Sequence, residues 1–221
     1  CDKPMVGRSL VNISGMSFGA ISKPAVRALS RGAQKAGCWM DTGEGGLSPH
    51  HLEGGCDIMF QIGTAKYGVR DDAGRLSPEK LREVAAHENV RAFEIKLSQG
   101  AKPGKGGVLL ASKVTEEIAR IRGIPVGQDS LSPNRHRDIA NMRELLDMVE
   151  RVRDITGKPV GIKTAIGGWH FMNDLTEEVA RRGLTAAPDF IAIDGGEGGS
   201  GAAPQALADH MALSIDEALP R

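Results

Sequence analysis

No stretch of this sequence approaches the roughly 18 consecutive apolar residues that a membrane-spanning helix needs, and no basic, apolar, small-residue leader opens it. Neither a membrane segment nor a secretory signal is therefore expected. There is no excess of either charge: Lys+Arg and Asp+Glu both number 28, so the overall balance recruits neither nucleic acid nor an anionic membrane surface. Cysteine is scarce. Cys1, Cys38 and Cys56 are an odd count with no CxxC pair, which argues against a disulfide framework and against a complete zinc or iron–sulfur site within the chain. A reducing, cytoplasmic setting is the expectation. The six histidines, among them the pair His50 and His51, show no HExxH or comparable spacing. No metal site is predicted, and the pair is expected in a solvated loop.

What is present is a rhythm. Apolar runs closed by small or polar residues alternate with amphipathic segments over 221 residues, the pattern of a parallel α/β fold in one domain. Residues 9–14 read as a strand, followed by a helix capped at Ser22, carrying Pro24 in its first turn and stopped by Gly37. Further strands are expected at 39–41, 57–64, 92–97, 125–130, 159–163 and 190–193. Helices are expected from Ser77, over 113–122 before Gly123, over 142–155 before Gly157, and over 171–182 before Gly183. About six βα units result. The fold class is α/β, a TIM (β/α)8-type barrel lacking about two units at its C-terminal end, so the single domain 1–221 is expected to be incomplete there. An open doubly wound sheet would need no further chain and stays open as an alternative.

Parallel strands buried on both faces keep their polar residues for their C-terminal ends, where a barrel carries its site. Lys96 and Lys163 each end an otherwise apolar strand. A cation there is hard to solvate unless it faces a bound anion. Gln99 and Lys102 follow Lys96 in a loop rich in glycine, and 130–138 offers hydroxyls, His136 and two arginines, with a helix-capping loop as the plainer reading. Glu44 stands among glycines in 42-TGEGG-46, where a tight turn with a solvated acid is an equal alternative. Five glycines crowd 193-IDGGEGGSGAAP-204, so backbone there can approach a flat ligand without a Cβ in the way. Cys1 as an N-terminal nucleophile lacks an evident oxyanion hole, and a fragment boundary explains it more simply.

Taken in order, 13-ISGMSFGAIS-22, 42-TGEGG-46, 61-QIGTAKYGV-69, 95-IKLSQGAKPGKGG-107, 132-SPNRHRDI-139, Lys163 and 194-DGGEGGSGAAP-204 resemble the FMN-binding domain of the glutamate synthase family. The likeness is strongest to its short, single-subunit members. The resemblance implies FMN at the C-terminal ends of the strands and hydride transfer to 2-iminoglutarate, giving L-glutamate. By motif match it implies that Gly15, Met16 and Ser17 approach the flavin ring, that Gln61 meets its polar edge, and that Lys163 faces the N1/O2 side with Lys96 reinforcing the field. Asp194, Gly195, Gly196, Gly198 and Gly199 would lie beside the ring and substrate. Gln99, Lys102 and Arg122 would bind the dicarboxylate, and Glu44 would line the route of ammonia. The implied partners are 2-oxoglutarate, ammonia or glutamine-derived ammonia, an unassigned electron donor, and a second copy or partner subunit.

The chain also departs from the large enzymes of this family. A 3Fe–4S cluster would need ligands beyond Arg221, no amidotransferase domain accompanies Cys1, and Lys66 stands where those enzymes carry an arginine. Two other readings stay open: a related FMN barrel acting on another amino-dicarboxylate such as N-methylglutamate, and a non-catalytic barrel fragment or scaffold subunit.

Overall fold

A computed structural model describes residues 2–199, 203–208 and 210–220; Cys1, and Ser200 to Ala202 of the glycine-rich stretch, lie outside them. The chain runs through α1 (Lys23–Ala36), β1 (Met40–Asp41), α2 (Pro49–Leu52), β2 (Ile58–Ile62), α3 (Pro78–Ala86), β3 (Val90–Lys96), β4 (Val108–Leu109), α4 (Glu116–Arg122), β5 (Ser130–Leu131), α5 (Met142–Thr156), β6 (Val160–Ala165), α6 (His170–Arg182), β7 (Ile191–Asp194) and α7 (Ile215–Ala218). Five strands form one parallel sheet in the order β1-β2-β3-β6-β7, extended at one edge by a parallel bridge from Ile13 to Met40. The sheet curls into part of a (β/α)8-type wall.

Alternation along each strand decides what faces where. On one face Phe60, Ile62, Phe93, Ile95, Val160 and Ile162 are wholly buried, in one cluster with Leu81 of α3 and with Leu145, Leu146, Val149 and Val152 of α5. Each such side chain contributes about 1.5–3 kcal/mol by leaving water. The opposite face carries Gln61, Glu94, Lys96 and Lys163, because each is two residues from the next inward position on its strand. This interior face is where the site forms.

The predicted helix boundaries largely hold. Ser22, Ser77, Thr115 and Asn141 each accept a backbone N–H at a helix start, and Gly37, Gly123 and Gly157 end theirs in the left-handed conformation. α3 has no glycine stop. Its end is closed instead by Lys158, whose buried ammonium donates to the carbonyls of Ala85, His87 and Val90, so a cation from beside β6 satisfies the orphan groups of another helix.

Three expectations change. Residues 9–14 do not make a strand: Leu10 and Val11 are exposed and only Ile13 pairs, since this segment has one neighbour, β1, that is itself two residues long. The segment 125–130 does not enter the wall. The slot beside β3 is taken by β6, in register Phe93↔Val160 to Lys96↔Lys163. Pro125 lacks an N–H and Gly127 has φ +70°, so the segment cannot run straight; Ser130 and Leu131 instead pair antiparallel with Leu109 and Val108 outside the sheet. His50 and His51 are not solvated: both are buried in α2.

Candidate functional site

The C-terminal ends of β1, β2 and β3, with the loops 14–19, 42–46 and 97–107, enclose a cleft of about 640 Å³, within the span usual for small-molecule sites. Of the residues singled out in the sequence, Gly15, Met16, Ser17, Glu44, Gln61, Lys96, Gln99, Lys102, Arg122 and Gly199 line it. Lys163, Asp194, Gly195, Gly196 and Gly198 are outside its lining. Lys163 is ion-paired to Asp194 at 3.5 Å, and Asp194 also accepts from the Gly100 N–H at 2.8 Å.

Cations dominate the wall. Lys96 Nζ donates to Gln99 Oε1 at 3.0 Å and stands 3.6 Å from Glu44 Oε2. Lys102 is buried, and burial pushes its pKa down while Glu44 partly restores it. Arg122, 5% exposed, donates to Ser130 Oγ at 3.0 Å and to the Phe18 carbonyl at 3.4 Å, with its guanidinium 5.1 Å over the Tyr67 ring. Among the described residues no carboxylate pairs with it, and its Nε has no partner. A rigidly held cation without a counter-ion is an anion site in waiting. Beside Glu44, a recess of about 20 Å³ touching Thr64, Ser98 and Gln99 has room for one water-sized molecule.

Glycines build the floor. Gly43 has φ +66°, and a Cβ on it would lie 2.5 Å from the Ser17 nitrogen; a Cβ on Gly15 would lie 2.6 Å from Asp41 Oδ1. The glycines after β7 do a different job. A Cβ on Gly100 would strike the Gly195 carbonyl oxygen, and the Ala101 N–H donates to the Gly198 carbonyl at 2.7 Å. The loop that carries Gln99 and Lys102 is thus locked backbone to backbone onto the loop after β7.

The loop 132–138 is used largely as a brace. His136 Nε2 donates to the Lys96 carbonyl at 2.9 Å, with burial holding the ring neutral, while Lys66, at φ +53°, reaches Asp138 at 2.8 Å and Thr64 donates to the Pro133 carbonyl at 2.7 Å. His50 Nε2 meets Glu117 at 2.9 Å. His51 is fully buried, its Nδ1 lies 2.8 Å from Ser48 Oγ, and burial lowers its pKa to about 4. Among the described residues no group of three His, Cys, Asp or Glu side chains is arranged to hold a metal ion.

Sequence reasoning passed over Asp41 and Glu94. Both are buried, at 2% and 3% exposed; Gln61 Nε2 donates to Glu94 Oε1 at 2.7 Å and lies 3.5 Å from Asp41 Oδ2, whose Oδ1 accepts from the Gly43 N–H at 2.6 Å. Burial, then the Glu94 charge, pushes Asp41 well up, and burial also raises Glu94. The available signal was spacing, since Glu94 stands two residues before Lys96 on one strand.

The comparisons with known proteins fit this geometry. Residues 3–221 match a family model described as a conserved region in glutamate synthase. The chain is 45% identical over 221 residues to the glutamate synthase large subunit-like protein YerD of Bacillus subtilis, covering 100% of this chain and 42% of that protein. It is 37% identical over 211 residues to the archaeal-type glutamate synthase [NADPH] of Thermotoga maritima, and 35% identical over 211 residues to the archaeal glutamate synthase [NADPH] of Methanocaldococcus jannaschii, each time over 95% of this chain and 38% of the relative. It thus spans about two-fifths of the length of the curated relatives it matches. With a family model matched almost from end to end, and with the strand ends and loops of a barrel site in place, the chain belongs to the glutamate synthase family.

Proposed function

We propose that this chain supplies the ring- and substrate-facing wall of a flavin-dependent oxidoreductase of glutamate synthase type, acting on 2-iminoglutarate formed from 2-oxoglutarate and ammonia. The observation that carries this reading is the single cleft in which Lys96, Lys102 and Arg122 face a floor of glycines. The residues present fit FMN: glycine at 15 and 43, where a Cβ would strike Asp41 Oδ1 and the Ser17 nitrogen, lets the loops 14–19 and 42–46 close on each other as a floor of bare backbone against which a flat ring can lie, and Gln61 offers an amide at that floor. When bound, FMN supplies the hydride that converts the imine to L-glutamate.

The chain's own residues bind and orient. Arg122 and Lys102 take the two carboxylates of the substrate, the guanidinium through two parallel N–H donors and the ammonium as a point charge. Gln99, held by Lys96, hydrogen-bonds the substrate between them. Glu44 borders the small recess, where its carboxylate accepts an N–H of ammonia and holds it next to the carbon under attack. Lys96 at the end of β3 and Lys163 within β6, its register partner, place positive charge on the interior face, which favours the more anionic form of a bound ring. The electron donor to test first is NADPH, named in the archaeal relatives. A 3Fe–4S cluster would draw its ligands from outside this chain.

The test uses the full-length protein, titrated with FMN and then assayed for L-glutamate from 2-oxoglutarate, ammonia and NADPH. Saturable flavin binding with glutamate formation is expected, with the KM for 2-oxoglutarate raised in Lys102→Ala. A folded protein that binds no FMN, or that binds it and reduces an N-methylated imine in place of 2-iminoglutarate, overturns this reading.

A further inference from the structure

Two buried acids lie under the cleft and are left unused by the reading above. Across β2 and β3, Gln61 and Glu94 are register partners, and Asp41 ends the adjoining strand β1. Gln61 Nε2 is committed to Glu94 at 2.7 Å and oriented by Asp41 at 3.5 Å. That leaves the amide oxygen of Gln61, a residue of the cleft lining, to meet a ligand N–H. Asp41 in turn accepts from the Gly43 N–H and touches the position of a Gly15 Cβ, so one carboxyl group organises both glycines of the floor and the amide between them.

We propose that Asp41 and Glu94 form a hydrogen-bonded acid pair that positions Gln61, with its oxygen toward the cleft as the acceptor for an imide-type N–H of the bound ring, and that keeps the floor from turning negative. The Gln61 half rests on the flavin reading; the acid-pair half does not.

The charges around the pair agree with one shared proton. Lys163 faces it from β6 and Lys96 from its own strand; Lys163 is matched by Asp194 of β7 and Lys96 by Glu44 of the loop after β1. With Asp41 protonated and donating to Glu94, the carboxylates of Glu94, Glu44 and Asp194 balance the ammoniums of Lys163, Lys96 and Lys102. Arg122 and Lys113, both in the cleft lining, are then left in excess for an anion. Were both acids ionised, two buried carboxylates would repel each other, and the surplus that draws a dicarboxylate would fall by one charge.

The experiment has two arms on the full-length protein. The first is infrared spectroscopy without FMN, comparing wild type with Asp41→Asn. The C=O stretch of one protonated carboxylic acid is expected at pH 7 in wild type and not in the variant, and in Glu94→Gln this group is expected to lose its proton at least about tenfold more readily. The second arm is FMN titration by fluorescence quenching. Glu94→Gln, which keeps an acceptor for Gln61, is expected to bind FMN within about threefold of wild type, and Glu94→Ala to bind at least about tenfold more weakly. Wild type without the band, or a band unchanged in Asp41→Asn, overturns the pair; equal affinity in the Gln and Ala variants overturns the positioning of Gln61. A wild type that shows the band yet binds no FMN keeps the pair and removes the flavin reading. Because the infrared arm needs only wild type and a near-isosteric variant, misfolding of Glu94→Ala leaves the proposal testable.

Discussion

Acidification should loosen the site through His51. Its imidazole is fully buried, and burial lowers its pKa from 6.5 to about 4. The folded state therefore binds fewer protons than the unfolded chain between those values. The stability His51 provides is complete above pH 6.5 and is lost as the pH falls toward 4. At pH 5 an exposed imidazole is almost wholly protonated while His51 in the fold stays mostly neutral, so the loss between pH 7.5 and pH 5 is about 2 kcal/mol, growing to about 3 kcal/mol below pH 4. Gln is the informative replacement. His51 is the third residue of α2 and closes a capping box with Ser48, a position where glutamine is at home, so His51→Gln keeps the cap and removes the titration. Local opening free energies from hydrogen exchange of peptides covering 39–62 in the full-length protein, at both pH values and in both proteins, isolate the effect. His136, lowered in the same direction, and the acid pair, raised and so of opposite sign, contribute equally to wild type and variant and cancel in the double difference. Wild type should lose about 2 kcal/mol more than His51→Gln. A double difference below about 0.5 kcal/mol, or ring resonances of His51 titrating at the ordinary value, refutes the reasoning.

Lys158→Met should cost about 2 kcal/mol or more, because the carbonyls of Ala85, His87 and Val90 lose their donor in a buried setting; hydrogen exchange at the end of α3 checks this, and unchanged protection refutes it. Gly100→Ala should push the loop 97–107 away from Gly195 and raise the KM for 2-oxoglutarate about tenfold with the circular dichroism unchanged, whereas unaltered kinetics would mean that the interlock does not place Gln99 and Lys102. Arg122→Lys keeps the charge but not the fork, so the substrate KM should rise about tenfold with FMN affinity unaffected, as a dicarboxylate titration would reveal.

Local order was legible wherever one chemical rule decided it. Serine caps at Ser22 and Ser77, glycine stops and the apolar stripe of α5 placed the helices, and a lysine ending an apolar run marked the end of β3 at Lys96, whereas β6 runs two residues past Lys163 to Ala165. The misses share one cause. Residues 125–130 carry a strand-like composition, yet pairing needs a free neighbour, and β6 holds the slot beside β3. His50 and His51 read as polar and solvated, but α1 and the 14–19 loop close over them, which no local pattern records. Glu94 passes unnoticed within a run that reads as apolar up to Lys96, and only Gln61 across the ladder and Asp41 beyond it turn that residue into part of a floor.

By itself, then, the sequence determined the alternation of strand and helix, the polar C-terminal strand ends and the glycine-bearing loops, because hydrophobic period, capping and backbone freedom act over a few residues. Which strand stands beside which, that two buried acids meet at Gln61, and that among the described residues no carboxylate pairs with Arg122 were decided by tertiary structure alone. Desolvation and charge pairing depend on neighbours some 20 to more than 100 residues away along the chain, such as Gln61 for Asp41 and Phe18 for Arg122, and only folding brings those groups within hydrogen-bonding reach.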